Sequence, residues 1–236
     1  MASTILVVEH EAQCPPARLG DWLRAAGAEL EVCRPYASDD LPPVASYDGL
    51  LVLGGSMSAN DDSVPWLAPL RAMVRDAAES GTPTWGVCLG HQVIARALGG
   101  TVGVNPRGQQ VGVLATGWLS SADGDALFGQ VRPSRTIQWN HDLVTALPDG
   151  AVALAETAGG ELQVARFAPT VWGTQMHPEV TRTICAQWLE EDRDEHVARG
   201  IDPEGLLAEV TAAEDDLAEA WEPVAREFAA LVGESA

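Results

Sequence analysis

Thr84-Trp85-Gly86-Val87-Cys88-Leu89-Gly90-His91-Gln92 runs from a short apolar strand into a helix, with a cysteine at the junction and a glycine two residues to either side. A strand-to-helix turn this sharp strains its central residue and leaves no room for side chains two positions before and after it. Gly86 and Gly90 meet that requirement, so the turn presents the Cys88 sulfur outward. The junction is also a helix N-terminus, where backbone N–H groups and the helix dipole favour a thiolate. The N–H of Leu89 is the natural donor to an oxyanion forming beside that sulfur. The plain alternative is that Cys88 is a small buried hydrophobe, as cysteines between strands and helices often are.

Working outward, the flanking segments alternate in the way that builds a parallel sheet. An apolar run at 4–8 is followed by Pro15-Pro16, a helix-like stretch to about Gly27 and a short β-like run at 29–33. A second strand-like run, 49–53, stops at Gly54-Gly55, and a helix is expected from about Trp66 to Ser80. The helix that begins near Leu89 ends at Gly99-Gly100. From 101 to 175 the pattern becomes short apolar runs broken by Gly, Pro, Asn and Asp, at 102–104, 111–115, 135–138, 151–155, 162–167 and 171–175, which predicts strands and turns. Beyond Pro178 the chain is helical again, with Ile184, Trp188 and Leu189 on one face and Leu206, Leu207, Val210, Leu217, Trp221, Phe228 and Leu231 on another. The charged stretch from Glu190 to Pro203 is the linker candidate, which divides the chain into 1–190 and a helical extension at 191–236. That extension either packs on the same domain or offers Trp221 and Phe228 to a second copy as a homodimer contact.

The 34 acidic residues against 14 basic ones give a formal charge of −20, and no basic cluster occurs, so nucleic acid and anionic membrane are poor partners. The acidity serves solubility or, less simply, docking of a basic partner. Cys14, Cys33, Cys88 and Cys185 form no C-x-x-C pair, which argues against a zinc knuckle or a disulfide framework and fits a reducing cytoplasm. The first residues carry no basic segment ahead of a long apolar one, so neither a signal peptide nor a membrane span is expected.

A thiol nucleophile needs a base near neutral pH. Gln175-Met176-His177-Pro178-Glu179 follows the apolar run 170–174 and carries a histidine and a carboxylate two residues apart. Parallel sheets gather functional groups at the carboxyl ends of their strands, and both this segment and Cys88 sit at such ends. His177 is then expected to take the thiol proton and return it to the leaving nitrogen, with Glu179 orienting the imidazole. A histidine-proline pair is equally at home in a plain turn. Gly54-Gly55-Ser56 ends another strand, and its backbone N–H groups, Gly55 above all, are candidates for the second half of an oxyanion site; a tight turn is the ordinary use of such a pair.

Taken in this order, Gly54-Gly55, Gly86-Val87-Cys88-Leu89-Gly90-His91-Gln92 and Gln175-Met176-His177-Pro178-Glu179-Val180 resemble the class I, triad-type glutamine amidotransferases over about residues 4–190, in particular their GMP synthase-like stand-alone members. The resemblance implies an α/β, flavodoxin-like open twisted mixed sheet with helices on both faces. It also implies a γ-glutamyl thioester on Cys88 and release of ammonia to a synthetase or ligase on another chain. Glutamine is the implied substrate, with another γ-glutamyl amide or peptide, or a non-catalytic ligand-sensing role, as alternatives. Gly54, Gln92 and His141 would lie against the substrate, Gln92 having a solvent-facing helix position as its alternative and His141 a structural or rim position. Gln109-Gln110-Val111-Gly112 departs from the many relatives that carry an acidic residue before the glycine. His10, His91 and His196 lack a partner pattern, and no two of the five histidines have metal-ligand spacing, so neither metal nor cofactor is expected.

Overall fold

The computed structural model describes residues 2–235. Its elements, in chain order, begin with β1 (Thr4–Val8), α1 (Ala17–Ala25), β2 (Glu29–Cys33), β3 (Gly49–Val52), α2 (Leu67–Ser80), β4 (Thr84–Val87) and α3 (Leu89–Ala97). A strand-rich stretch follows: β5 (Thr101–Val104), β6 (Gln110–Ala115), β7 (Gly117–Trp118), β8 (Arg135–Asn140), β9 (Asp142–Ala146), β10 (Val152–Glu156), β11 (Leu162–Ala168) and β12 (Val171–Thr174). Three helices close the chain: α4 (Arg182–Glu191), α5 (Arg193–Ala198) and α6 (Pro203–Ser235).

The main sheet runs β2-β1-β3-β4-β12-β11-β10-β7. Its first five strands are parallel and its last three join antiparallel, giving the expected mixed sheet. β1 explains why the parallel part reads as continuous apolar runs: Ile5 and Val7 face one core and Leu6 and Val8 the other, so both faces are buried. One face is covered by α1 and α6, through Leu19, Leu23, Trp221, Phe228 and Val232. The other is covered by α2 and α3, through Leu70, Val74, Val93 and Ile94.

Two features differ from the sequence expectation. β7 and β9 are elements the apolar runs did not reveal; β5 pairs with β9 and β6 with β8 as antiparallel ribbons separate from the main sheet. The stretch Glu190–Pro203 is not an extended linker: it holds the end of α4 and all of α5, and Trp188 and Leu189 just before it are buried against Leu206, Val210 and Leu217 of α6. Trp221 and Phe228 belong to the chain's own core, with Phe228 edge-on to Trp85 at 5.6 Å, so they are not available to a second copy. No helix among the described residues is long and apolar enough to cross a membrane, and all four cysteines are free.

Candidate active site

The β4–α3 junction has the geometry its glycines require. Cys88 has φ 51° and ψ −104°, one of three non-glycine residues with positive φ among the described residues. A conformation of this kind costs about 1–3 kcal/mol and persists only where the surroundings fix it. Here they do: the Cys88 N–H donates to the Thr174 carbonyl at 2.8 Å, and the Gly90 N–H to the Leu53 carbonyl at 3.1 Å. A Cβ on Gly90 would land on the Val52 carbonyl oxygen, and one on Gly86 would stand 2.6 Å from the Gly90 carbonyl carbon and from Ile94. The N–H groups of Leu89 and Gly55 have no hydrogen-bond partner among the described residues.

β12 lies directly beside β4, with Thr174 opposite Val87, and so brings the residues after Thr174 to the end where Cys88 sits. The His177 N–H is fixed by the Ile137 carbonyl at 2.8 Å, and its Nδ1 pairs with Glu179 Oε1 at 2.7 Å. Both side chains are buried, at 3% and 2% exposure. Burial alone would lower the affinity of His177 for its second proton. The charges of Cys88 and Glu179 outweigh that loss and raise its pKa well above the ordinary histidine value. Gly54 lies between the two groups: a Cβ there would be 3.0 Å from His177 Cε1 and 3.6 Å from the Cys88 Cβ.

Gln92 is buried rather than solvent-facing. Its Nε2 donates to the Asp142 carbonyl at 3.0 Å and to Gln175 Oε1 at 3.3 Å, while Gln175 Nε2 points at Cys88 Sγ at 3.6 Å. Gln175 was visible in the sequence as the start of the histidine segment, but nothing there marked its amide as a neighbour of the sulfur. His141, between β8 and β9, is exposed at the rim, its Nε2 3.7 Å from Glu195 Oε1. Of the other histidines, His10 accepts from Trp66 Nε1 at 3.0 Å and is pushed down to about 4 by burial. His91 sits under Gly173 and Phe167 and is pushed down to about 3 by burial, so both are neutral packing residues.

A cavity of ≈ 400 Å³ opens above Cys88 and His177. It is lined by residues at strand ends, among them Gly55 and Asn140, and by Gln92 of α3. It is lined as well by the α4–α5 region, which sequence reasoning did not place here: Trp188, Glu191, Asp192 and Glu195. Trp188 packs edge-on against His177 at 4.9 Å and donates its Nε1 to the Gln13 carbonyl at 3.0 Å. Glu11 and Cys14 complete the lining; the Cys14 thiol donates to Glu11 Oε1 at 3.2 Å, and burial followed by the Glu11 charge pushes its pKa up, which keeps it protonated. Gln109 reaches the cavity and accepts from Arg199. Among the described residues no cluster of His, Cys, Asp or Glu has the arrangement to hold a metal ion.

A family model described as glutamine amidotransferase class-I matches residues 18–192. A GMP synthase [glutamine-hydrolyzing] from Synechococcus sp. is 32% identical over 162 residues, covering 68% of this chain and 29% of the synthase. γ-Glutamyl peptidase 5 from Arabidopsis thaliana is 26% identical over 147 residues, covering 61% of this chain and 58% of the peptidase. The chain thus spans less than two thirds of the length of either relative. In structure, a glutamine amidotransferase (tm1158) from Thermotoga maritima superposes with a TM-score of 0.86 at 23% identity, over 97% of this chain and 99% of that one, a likeness of fold.

Proposed function

We propose a reaction for this chain, which belongs to the glutamine amidotransferase class-I family: hydrolysis of a γ-glutamyl carboxamide through a thioester on Cys88. The observation that carries the proposal is the meeting of three strand ends at one sulfur. Cys88 in its strained turn ends β4, the buried His177–Glu179 pair follows β12, and the unpaired N–H of Gly55 follows β3. In the proposed sequence the Cys88 thiolate attacks the γ-carbonyl carbon, and the developing oxyanion takes the N–H groups of Leu89 and Gly55. The C–N bond breaks as His177 delivers its proton to the leaving nitrogen, so that glutamine yields ammonia and a γ-glutamyl thioester. Water then attacks the thioester, His177 accepts its proton, and glutamate leaves as the Cys88 thiolate is regenerated. Glu179 holds the imidazole through Nδ1 and stabilises its charged form. Gly54 gives the substrate room beside the triad, and Gln92 fixes Gln175 against the sulfur.

Residues 1–190 are proposed as the hydrolytic unit, with 191–236 as a helical extension built into the same core through Trp221 and Phe228. When glutamine is the substrate, the ammonia acceptor is proposed to be a synthetase or ligase on another chain. A second reading, cleavage of a larger γ-glutamyl amide or peptide by the same chemistry, is favoured by the ≈ 400 Å³ cavity, which extends well beyond the sulfur to the α4–α5 wall.

The test combines turnover and labelling. The purified protein is incubated with glutamine and with γ-glutamyl amides while ammonia, amine and glutamate are followed. It is also treated with diazo-oxo-norleucine, and the adduct is mapped by mass spectrometry. The expected outcome is glutamate release and one adduct, on Cys88. A Cys88 left unlabelled under native conditions, with no γ-glutamyl compound cleaved, would overturn the proposal.

A further inference from the structure

The lining of the cavity has a chemistry of its own. Cys88 and His177 line the cavity together with residues of the α4–α5 region, so the amine portion of a γ-glutamyl amide held at the sulfur lies within the same cavity. Among the described residues its lining carries five carboxylates, Glu191, Asp192, Glu195, Asp142 and Glu11, and no arginine or lysine. Glu195 is partly compensated, by His141 at 3.7 Å and Arg199 at 3.6 Å. Glu191 and Asp192 have no ion-pair partner among the described residues; the neighbouring arginine, Arg193, is taken by Glu190 and Glu204. Glu11 is occupied by the Ser56 N–H and hydroxyl, and Asp142 by the Ser58 hydroxyl, neither of which neutralises it. The α-ammonium of a γ-glutamyl group accounts for one or two of these carboxylates. It does not account for the remainder of the five.

Two further observations point to the same kind of ligand. Trp139 and Trp188, with ring centroids 5.5 Å apart, both line the cavity beside these acids, and indole faces among carboxylates attract organic cations. Asn140, 3% exposed, also lines it; its amide hydrogens go to Gln110 Oε1 and the Asp142 carbonyl, while its carbonyl oxygen has no partner. A buried acceptor without a donor is costly unless a ligand supplies one, and an ammonium carries only donors. A cleft walled by one sign of charge also concentrates ligands of the other sign.

We infer that the cavity takes γ-glutamyl amides whose amine portion ends in a cation, a diamine or polyamine class of leaving group. The inference rests on the hydrolytic reading of Cys88 and names the substrate class for that site. Bond changes are those already given: the C–N bond to the polyamine nitrogen breaks, His177 supplies the proton that lets the amine depart, and water cleaves the thioester.

The experiment uses four compounds: glutamine and the γ-glutamyl amides of diaminobutane, n-butylamine and γ-aminobutyrate, whose tails are alike in length and differ in terminal charge. The expected kcat/KM for the diaminobutane amide is at least about tenfold above that for the butylamine amide, with the aminobutyrate amide lowest. That preference is expected to shrink as salt shortens the screening length from about 10 Å at 0.1 M to about 3 Å at 1 M. In the double variant Glu191→Gln, Asp192→Asn the ratio of the first two values should fall about threefold or more; a ratio that does not change would overturn the inference. Binding of the same amides to the Cys88→Ala protein, by calorimetry, reads the preference without turnover. Equal affinities and equal kcat/KM across the three tails, or cleavage of glutamine alone, would also overturn it while leaving the hydrolytic reading in place. If nothing is cleaved, the hydrolytic reading fails, and the calorimetric order still decides whether the cavity prefers a cationic tail.

Discussion

The two walls of the cavity are built by different means. The strand-end wall is covalently local and sterically closed: Gly86, Cys88 and Gly90 lie within five residues, and hydrogen bonds to Thr174 and Leu53 tie the turn to neighbouring strands. The α4–α5 wall is assembled from distant pieces. Trp188 is held by the Gln13 carbonyl, 175 residues away, and Arg199, just past α5, by Gln109, 90 residues away, with charged side chains between them. The first wall has no room for added side-chain atoms at Gly86 and Gly90, whereas the second is made of side chains, and substitutions there are expected to change what the cavity accepts. Chemistry that must be placed to a fraction of an ångström is fixed by backbone, and selection among substrates is left to side chains on a packed but replaceable helix pair.

The largest effect that separates the walls is expected from Gly90→Ala. The added Cβ would meet the Val52 carbonyl, which is backbone of a central strand and has no rotamer to move. Destabilisation by about 4 kcal/mol or more and loss of activity are expected, read by chemical denaturation and by glutamate release. A variant that melts normally would show that the turn is looser than its geometry and that the two walls are alike in tolerance.

Next in size is Glu179→Gln, which keeps the shape of the buried pair and removes its charge. Turnover at neutral pH is expected to fall by about 10²–10⁴. The sign of the pH effect follows from His177. Its folded pKa is raised above the unfolded value, so the stabilisation it provides is complete below about 6.5 and is lost as pH rises through the folded value. With the carboxylate gone, one of two opposing charges is lost while burial still favours neutral imidazole, so the folded pKa drops. The alkaline limb of the kcat/KM profile should move to lower pH. A profile that loses amplitude without moving would mean that Glu179 orients His177 but does not hold its charge.

The same contrast decides what was legible in the sequence. The elbow was readable because its constraint is steric and nearby: only glycine fits at 86 and 90. The main sheet was readable because strands buried on both faces are written as unbroken apolar runs, as in Ile5-Leu6-Val7-Val8. His177 and Glu179 were readable as a pair, since β12 follows the ordinary rule for strand ends. The α4–α5 wall was not. Glu190–Pro203 has the composition of a solvated linker, and its place beside Cys88 depends on Trp188 packing between Trp139 and His177, a contact with no local signature. β7 and β9 were missed for a related reason: two residues, or five following directly on another strand, leave no period to detect. Of the two roles open to Trp221 and Phe228, the sequence could not choose by pattern, because an aromatic stripe on a helix reads the same whether its own sheet or another copy covers it, and the structure places both in the chain's own core.

Trp188 is the residue on which both walls lean, and it gives the smallest and most discriminating of these effects. Its ring meets His177 edge-on at 4.9 Å, its Nε1 is anchored at the Gln13 carbonyl, and the carboxylates of Glu191 and Asp192 follow within one turn of chain. Trp188→Leu keeps an apolar side chain but removes the edge contact and the anchor, leaving the imidazole free to swing about its bond to Glu179. Small misplacement of a proton donor is expressed at the transition state more than in ground-state binding. The expected result is a fall in kcat of about tenfold with KM changed less than twofold, beside a loss of stability of about 2–3 kcal/mol from the lost packing. The measurement is a kcat and KM pair on glutamine, set against a denaturation curve. A stability loss with kcat unmoved would separate the walls, making Trp188 a packing residue and confining catalysis to the strand ends. A rise in KM with kcat preserved would place Trp188 wholly on the substrate side. The split between the two parameters therefore says to which wall the indole belongs.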